Sequence, residues 1–537
     1  MAFTDFFIQA NGSNKNAGSD TNAAAKYTST NGNWSTVTNI FTPTDGTNPV
    51  SAGVAVGDFA SIYLDAAAET VSISRVTAVV NAANGAITVS AVSRAGAVPT
   101  TGATGRTIKV GGAWKGMGGA SSFPFTLLNL GALVNLNSNP MRVKIKNDQT
   151  YTVSAPIIVQ GSPEPAQIEG YSDIPNDPNG VVITNGGTAM NPLWGHSVDQ
   201  TSLIQGLIFI STATTGTGDV LVSGGSSHTY FRCIFIGARG QGLSNGARMS
   251  VIECEFYNCV RSNQVGDGCA AADIDSLFLR CYFHDCQSGA NCNGITMVGN
   301  ACQVAVVDCI FDSLQGSGIL QATGSGAVIG IKALNCDFYN LGRSGIRWTT
   351  AARAMLYAEN CNFLKCASYG IEGDWTGGAH VLVGSILNNG FGTGTQANGL
   401  GNTFQLFAVQ EGGSINYAAG VTPWANPTTG DFRLYLSDSI GKGRGGFAEQ
   451  ALITKAGTIG YPDVGAAAHG TSIIIGGGEG GGGAGAEPVI LEVPRTSLKI
   501  RDPDISSLIR RARNASRIIE NLTIAGAAGN SEDGFSL

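Results

Sequence analysis

The motif Cys-x-Phe recurs six times between positions 233 and 363, at intervals of 21, 27, 28, 27 and 25 residues. A self-similar period of this length is typical of repeat proteins, in which each repeat is one structural unit stacked on the next. This regularity constrains the fold more strongly than any local hydrophobic pattern. The six occurrences are Cys233/Phe235, Cys254/Phe256, Cys281/Phe283, Cys309/Phe311, Cys336/Phe338 and Cys361/Phe363.

A glycine follows each motif and precedes an apolar residue, such as Ile319 or Ile346. Four of these glycines lie nine residues after their Cys, and the other two follow small insertions. We expect a sharp bend at each glycine, where a side chain would clash or where φ is positive. The glycines are Gly242, Gly268, Gly294, Gly318, Gly345 and Gly370.

The Cys and Phe of one motif are two residues apart, so both point to the same side of a strand. If that side is the interior, Phe stacks on Phe and Cys on Cys from coil to coil. Leu207-x-Phe209 lies 26 residues before Cys233 and is predicted to occupy the same position one coil earlier. Ile386, 25 residues after Cys361, is predicted to continue the ladder with Asn388 in the place of Phe. About ten coils fit between 140 and 415, making a column ~50 Å long.

All twelve Cys residues lie between positions 233 and 366, most of them at repeat positions. Buried free thiols are favoured over disulfides, because Cys is among the most buried residue types even when it is unpaired. Disulfides stay open as an alternative, since stacked strands would place ladder Cys Cα atoms ~4.8 Å apart, within the range that a disulfide spans.

Composition limits the possible partners. Charged residues make up 13% of the chain, there are 76 Gly, and the net charge is −7. An acidic chain argues against nucleic acid binding driven by overall charge, and no apolar run approaches the ~20 residues of a membrane helix.

The start of the chain has no basic segment followed by an apolar one, so we predict no secretory signal and release by lysis. We expect no nucleic acid partner and no membrane insertion.

Changes in composition and periodicity divide the chain into five segments. The first contains alternating segments and a predicted hairpin with its turn at Asn84-Gly85, and Trp34 and Trp114 are the predicted anchors of its core. The predicted segments are a β-rich N-terminal domain at 1–125, the repeat region at 126–415, its closing segment at 416–475, a Gly-rich linker at 476–487 and a helical tail at 488–537.

The tail is predicted to contain a short amphipathic helix, with apolar residues at alternating steps of three and four. Arginines lie between them, either as a solvated face or as an anchor to an acidic protein surface. The apolar seam suits docking on copies of itself or on a partner protein. The apolar residues are Ile505, Leu508, Ala512, Ala515, Ile519 and Leu522. The arginines are Arg510, Arg511, Arg513 and Arg517.

The 25–28 residue period, with KIKNDQTYTVSAPIIV and QIEGY at 144–171, resembles right-handed parallel β-helix proteins of the pectate-lyase-like superfamily, including phage tailspike and other virion β-helices. The segments Gly430–Leu434, Ser437–Gly443 and Tyr461–Ala466 resemble the closing segment of such proteins. The resemblance implies an all-β chain: a right-handed parallel β-helix with a small β-rich N-terminal domain and a short helical C-terminal tail. It does not imply one function, since this fold serves lyases, hydrolases and inert scaffolds.

Enzymes of this fold act with carboxylates on outer faces, and glycoside hydrolysis needs two acids. Neighbouring acids on a strand, joined by those of the next coil, arise in almost any solenoid, so none is assigned a catalytic role. The pairs considered are Glu253/Glu255, Asp273/Asp275, Asp308/Asp312 and Glu372/Asp374.

A candidate surface contact is formed by Gly345-Ile-Arg347-Trp348 and Gly370-Ile-Glu372-Gly-Asp374-Trp375, which are offset by one period. Arg347 should therefore pair with Glu372 across adjacent coils. One interpretation is a solvated salt bridge beside two partly buried tryptophans, Trp348 and Trp375. The other is a contact with a sugar or a partner protein, to which Asp374 would contribute.

Two further motifs are set aside. The spacing of Cys281, His284 and Cys286 is loosely metal-like, but the two Cys are predicted to face the core, whereas zinc needs convergent ligands. Gly242-Leu-Ser244-Asn-Gly246 spells a nucleophile elbow, yet it falls on a solenoid bend instead of a strand-to-helix turn. We predict no catalytic residue, no metal and no cofactor.

The leading hypothesis is a non-enzymatic structural protein in the virion of a tailed phage or similar virus. It would be a β-helical spike, fibre or capsid-decorating protein, expected to be a homotrimer that contacts other virion proteins and host surface glycans. The first alternative is a depolymerase or lyase acting on host glycans. The second is a cell-surface adhesin or filament subunit.

Overall fold

The computed structural model describes most of residues 4–114, the strands and many turns of 141–373, and strands alone between 380 and 434. The segment 115–140 is the longest gap within these limits. Among the described residues there is no helix of the length and hydrophobicity that crossing a membrane requires. The predicted linker and helical tail lie outside the described residues, and the domain boundaries stay predictions.

The N-terminal region forms a closed antiparallel barrel of six strands, in the order β2-β3-β6-β5-β4-β7. Its core includes Trp34 and Phe41, both nearly inaccessible to solvent. The predicted hairpin is confirmed, because β5 and β6 pair in antiparallel fashion and Asn84 in their turn has a φ of 57°. The barrel strands are β2 (Tyr27–Ser35), β3 (Ile40–Pro43), β4 (Phe59–Leu64), β5 (Ser72–Val79), β6 (Ile87–Val89) and β7 (Ala103–Val110).

The repeat region is a parallel solenoid with three sheets, each coil adding one strand to sheet 1, then sheet 2, then sheet 3. Sheet 1 contains β1 (Thr4–Ile8), β8 (Met141–Lys146), β11 (Ala166–Tyr171), β14 (Thr201–Gln205), β17 (Ser227–Phe231), β20 (Arg248–Ile252), β23 (Ser276–Leu279), β26 (Gln303–Val307), β29 (Val328–Leu334), β32 (Arg353–Glu359), β35 (His380–Val383) and β38 (Phe407–Glu411).

Sheets 2 and 3 have ten strands each, the number of coils predicted from the sequence. Sheet 2 contains β9 (Tyr151–Thr152), β12 (Val181–Thr184), β15 (Leu207–Ile210), β18 (Ile234–Ile236), β21 (Glu255–Tyr257), β24 (Tyr282–His284), β27 (Ile310–Asp312), β30 (Asp337–Leu341), β33 (Asn362–Cys366) and β36 (Ile386–Asn388). Sheet 3 contains β10 (Ile157–Gln160), β13 (Trp194–Ser197), β16 (Leu221–Ser223), β19 (Leu243–Asn245), β22 (Gly268–Ala272), β25 (Asn293–Met297), β28 (Ile319–Gln321), β31 (Ile346–Trp348), β34 (Ile371–Gly373) and β37 (Ala397–Gly399). A separate antiparallel pair is formed by β39 (Trp424–Asn426) and β40 (Asp431–Leu434).

The predicted Phe ladder is confirmed and runs unbroken from Phe209 to Phe363 along the inner face of sheet 2. Successive ring centroids are 4.6 to 5.5 Å apart, and the ring planes deviate from parallel by at most 13°. All seven rings are inaccessible to solvent. Burial of each ring contributes about 1.5 to 3 kcal/mol, and ring–ring contact adds about 0.5 to 1.5 kcal/mol. The ladder is therefore a principal source of solenoid stability.

The prediction for the end of the ladder is wrong by one residue. Leu387, not Asn388, lies opposite Phe363, and Ile386 pairs with Asn362 instead of Cys361. A shift of one residue moves every side chain of a strand to the other face. The observed register assigns the apolar Leu387 to the Phe position, whereas the predicted one would have placed an Asn there.

The repeat glycines are required because a neighbouring coil approaches closely. An ideal Cβ on Gly294, Gly318 or Gly345 would lie 2.4 to 2.5 Å from the Phe ring of the next coil, and 2.6 to 2.7 Å from the next backbone carbonyl oxygen. Of the two reasons predicted for these glycines, the steric clash is therefore the operative one. The Gly and Cys-x-Phe repeats have one cause, because the Phe ring fills the space that a Cβ would need.

The ten described Cys side chains are free thiols buried in the core. Those of the Cys-x-Phe motifs lie at the bend between sheets 1 and 2, where they also form hydrogen bonds. The amide of Cys281 donates to Cys309 Sγ of the next coil at 3.3 Å, and the Cys281 thiol lies 3.3 Å from the Val251 carbonyl oxygen of the preceding coil. Cys281 and Cys309 are thus both small apolar residues and links between the backbones of neighbouring coils.

The residue before each of the first five Cys-x-Phe motifs has a left-handed backbone conformation. Arg232, Glu253, Arg280, Asp308 and Asn335 have φ between 50° and 55°. This conformation costs a non-glycine residue about 1 to 2 kcal/mol. Backbone hydrogen bonds between coils offset that cost; for example, the Asp308 amide donates to the Leu334 carbonyl oxygen at 2.9 Å. The bend turns the chain sharply from sheet 1 into sheet 2.

The N-terminal strand β1 is part of the solenoid, although it lies within the predicted 1–125 domain. It pairs in parallel with β8, and Ile8 forms a bridge to Trp114. Phe6 on this strand stacks on Trp114, with centroids 5.4 Å apart, and meets Phe59 of the barrel edge to face at 5.1 Å. Trp114 therefore packs at the junction of barrel and solenoid, while Trp34 anchors the barrel core.

Ion pairs on the outer face of sheet 1 hold β1 in place. Asp5 accepts hydrogen bonds from Arg142 at 2.8 and 3.0 Å, and Lys144 Nζ lies 3.1 Å from Asp5 and 3.7 Å from Glu169. Lys144 and Glu169 are buried. Because buried charges are costly unless they are paired, this network fixes the position of β1 on the first coils.

Candidate functional site on the outer face of sheet 2

The outer face of sheet 2 carries a cluster of titratable and aromatic side chains on three consecutive coils. Strand alternation creates it: the Phe residues of β21, β24 and β27 point inward, so the residues flanking them point outward. The rows are in register, with Tyr257 opposite His284 and His284 opposite Asp312. We define the His284 cluster as Glu255, Tyr257, Tyr282, His284, Asp285 and Asp312.

His284 is bound on both sides by carboxylates. Its Nε2 lies 2.9 Å from Glu255 Oε1 of the preceding coil, and its Nδ1 lies 2.9 Å from Asp285 Oδ2. The imidazole stacks on Tyr282 with centroids 4.1 Å apart, and Tyr257 lies 5.0 Å away. Burial alone would lower the pKa of His284, but the hydrogen bonds and charges of Glu255 and Asp285 outweigh burial and raise it.

Asp312 occupies the next coil and is only 7% exposed. Burial raises its pKa to about 6, and the charge of Asp285 acts in the same direction. The hydroxyl groups of Ser313, at 2.8 Å, and Tyr282, at 3.3 Å, oppose this rise by hydrogen bonding to the carboxylate. The cluster therefore contains a histidine whose pKa is raised by its carboxylate partners and a carboxyl group whose pKa is raised by burial to about 6.

The arrangement offers acid, base and aromatic groups close together. Tyr257 is 39% exposed, and the side chains of Glu255 and Asp285 are 41% and 53% exposed. Such a surface has the chemistry to exchange protons and to donate or accept hydrogen bonds. Perturbed titration of this kind marks candidate functional sites, although structural ion pairs produce it as well.

A second charged row follows the bend between sheets 1 and 2. Arg232 Nε lies 2.9 Å from Glu253 Oε2, and Arg280 Nη1 lies 3.2 Å from Glu253 Oε1. Arg280 Nε lies 3.9 Å from Asp308 Oδ2 in the next coil. Charges of alternating sign thus connect four coils. Glu253 belongs to this row and Glu255 to the His284 cluster, so these two acids do not form a pair.

The predicted ion pair between Arg347 and Glu372 is confirmed. The two residues are register partners in sheet 3, and Arg347 Nε lies 3.3 Å from Glu372 Oε1. Glu372 also accepts a hydrogen bond from Ser344 Oγ. Both charged side chains are about a quarter exposed.

The prediction that Trp348 contributes a partly buried surface ring is wrong. Trp348 is 1% exposed and packs in the solenoid core. The reason is alternation along β31, in which Arg347 points outward and its two neighbours, Ile346 and Trp348, point inward. Asp374 and Trp375, the other members of this candidate surface, lie outside the described residues.

The structure describes one of the motifs that remain and not the other. Cys281 and Cys286 lie in the core and His284 lies on the outer face, so these three side chains do not converge on a metal ion. The predicted anchor residues of the C-terminal helix, from Ile505 to Leu522, lie outside the described residues. Their docking role stays a prediction.

The His284 cluster is not predicted from the sequence. Spacing along the chain assigns Glu255, His284 and Asp312 to three separate motifs. The signal was present in the repeat itself, because aligning the coils on Phe256, Phe283 and Phe311 brings the residues after each Phe into one row. That row reads Tyr257, His284, Asp312.

Comparison with known proteins adds little about function. No protein-family model matches the chain, and no curated protein matches it. A solved structure that resembles it is that of pectate lyase Pel9A, with 13% sequence identity and a TM-score of 0.39, covering 62% of this chain and 88% of that chain. The strand order and register described above, and not this likeness, establish the fold. The chain has a parallel β-helix fold, with a small antiparallel β-barrel near its N-terminal end.

Proposed function

We propose that this protein is a non-enzymatic structural protein of a virion, from a tailed phage or similar virus. One observation supports this proposal more than any other: the outward charges described here bind to charges on neighbouring coils. Glu253 bridges Arg232 and Arg280, His284 contacts Glu255, and Arg347 pairs with Glu372. Charges used in this way stiffen a column.

The column suits a spike, fibre or capsid-decorating protein. Ladders of buried Phe and Cys make the interior continuous, and the barrel packs against one end through Phe59 and Phe6. In a repeat fold each coil is stabilised by its neighbours, so stiffness extends along the whole stack. We further propose a homotrimer that contacts other virion proteins through the C-terminal tail and binds host surface glycans from its outer faces.

Mass spectrometry of purified virus particles tests the proposal. The expected result is that this protein is present at a fixed ratio to the major capsid or tail protein after density-gradient purification. Its absence from particles, with the protein present in the lysate, would refute a virion role.

Truncation after Ile475 tests the tail separately: the proposal predicts that truncated protein folds but is lost from particles.

A depolymerase acting on host glycans is the second candidate, favoured by Asp312. A carboxyl group with a pKa of about 6 suits a general acid, and other acids stand nearby. Incubation with host polysaccharide, followed by assay for new reducing ends or unsaturated uronates, tests this reading. Activity that disappears in Asp312→Asn and persists in Asp308→Asn would establish the enzyme and refute the non-enzymatic role.

A further inference from the structure

The contacts of His284 with its two carboxylate partners can both be hydrogen bonds in only one charge state of the ring. A neutral imidazole has one N–H donor and one acceptor nitrogen, whereas the imidazolium donates from both nitrogens. Both ring nitrogens lie 2.9 Å from a carboxylate oxygen, Glu255 on one side and Asp285 on the other. Only the protonated ring satisfies both contacts. A neutral ring would turn a nitrogen lone pair toward one of the two carboxylates.

The groups around the ring come from three coils. Glu255 and Tyr257 face it from β21, and Tyr282 stacks on it from β24 itself. Asp312 lies opposite it on β27. The Glu255 contact joins two coils at a point where the Asn258 amide donates to the His284 carbonyl oxygen at 3.3 Å. Loss of the side-chain contact therefore removes one of the links between β21 and β24.

We propose that Glu255, His284 and Asp285 form a pH-dependent clasp between consecutive coils, closed at mildly acidic pH and opened as the pH rises. Opening frees the carboxylates of Glu255 and Asp285 from their shared partner, at one place on the outer face beside the ring of Tyr257. The clasp is independent of the virion role, since it depends only on the contacts of these side chains. It makes the surface chemistry of sheet 2 sensitive to the compartment that the protein occupies.

The titration properties of the cluster agree with this direction. The pKa of His284 is raised above 6.5 by its two carboxylate partners against the effect of burial. The favourable contribution of the charged ring is fully present below the unfolded value of 6.5 and disappears as the pH rises through the folded value. Asp312 changes the stability of the fold in the same direction, because burial favours its neutral form, although its ionised form attracts the charged ring of His284.

Nitrogen NMR of the full-length protein, labelled with ¹⁵N at histidine only, tests the clasp. The chain has five histidines, and His284→Gln identifies the signals of His284. We expect both His284 ring nitrogens to carry protons at pH 6 and the ring to titrate with a midpoint above 6.5. A midpoint at or below 6.5, or a neutral tautomer at pH 6, would overturn the proposal.

Glu255→Gln provides a test that does not remove the histidine. It should lower the His284 midpoint, with about a tenfold loss of proton affinity for each unit of change. The signals of His228, which is buried in the core away from this cluster, should not move and serve as the internal control. An unchanged His284 midpoint in Glu255→Gln would also refute the clasp.

Amide hydrogen exchange reads out the coil contact itself. In the wild-type protein the protection of the Asn258 amide, corrected for the intrinsic pH dependence of exchange, should fall between pH 6 and pH 8.5. In His284→Gln it should be lower at pH 6 and independent of pH. Equal pH dependence in both proteins would show that the ring does not control the contact.

Discussion

Gly318 lies against the ring of Phe338 in the next coil, so close that a Cβ on Gly318 would stand 2.5 Å from the Phe338 Cδ1 atom. Gly318→Ala should therefore destabilise the solenoid by about 1 to 3 kcal/mol, because an overpacked core forces the ring or the backbone to move. Gly330→Ala is the matched control, since its nearest neighbour would be the flexible Gln303 side chain at 3.3 Å. Denaturant unfolding compares the two variants. Equal stability would contradict the packing account.

Removal of one ring from the Phe ladder should be among the most damaging single changes. Phe311 stacks on Phe283 and Phe338 with centroids 4.8 Å away on each side. Phe311→Ala is expected to cost about 3 to 5 kcal/mol. Tyr257→Ala, on the outer face of the same sheet and 39% exposed, should change stability by less than about 0.5 kcal/mol. A cost for Phe311→Ala close to that of Tyr257→Ala would argue against a continuous ladder.

The thiols should be unreactive and structurally specific. Burial raises the pKa of Cys309 well above its usual value, so a thiol reagent should modify it only after unfolding. Cys309→Ala removes the acceptor for the Cys281 amide and should cost about 1 to 3 kcal/mol. Thiol counting in native and denatured protein, with denaturant unfolding of Cys309→Ala, measures both effects. Rapid modification of native Cys309 would contradict its buried position.

The ion pair of Arg347 and Glu372 should contribute little to stability. Its side chains are 23% and 26% exposed, and partly solvated pairs typically contribute 0 to about 1 kcal/mol. A double-mutant cycle with Arg347→Met and Glu372→Gln should give a coupling energy in that range that decreases in high salt. A coupling energy several times larger, with no salt dependence, would mean that the pair is shielded from solvent.

Asp312 should make the protein less stable as the pH rises. Its folded pKa of about 6 lies above the usual 3.8, so the neutral form is favoured in the folded state. That advantage is present below pH 3.8 and is lost as the pH rises through about 6. Asp312→Asn should therefore be more stable than wild type at pH 8, by on the order of 2 kcal/mol, and similar at pH 4. Thermal unfolding at both pH values measures the difference.

The sequence predicts the interior of the solenoid well because repeat positions report the packing directly. Phe209 was correctly placed one coil before Phe235 from spacing alone. The same method failed at Ile386, where the coil is one residue shorter than assumed and strand alternation reverses the faces. The prediction for Trp348 is wrong because residues alternate along β31, so the ring points inward although its charged neighbour Arg347 points outward.

The outer features were harder to predict because they depend on contacts between coils. The link from His284 to Glu255 spans 29 residues of sequence, and the Asp5 to Arg142 link spans 137. No local pattern encodes such pairings until the register of the coils is known. The left-handed backbone at Arg232 and Glu253 was equally hidden, since neither residue type ordinarily favours it.

The pairing of β1 with β8 also imposes an order on synthesis. Residues 4–8 are synthesised before their partners, residues 141–145, which follow more than a hundred residues later. The barrel strands between them pair with one another and can close during this interval. The barrel can therefore fold before β1 has a strand partner, and β1 pairs with the solenoid only after β8 has been synthesised. A strand made before the whole barrel thus forms its sheet contact only after the barrel strands have been made.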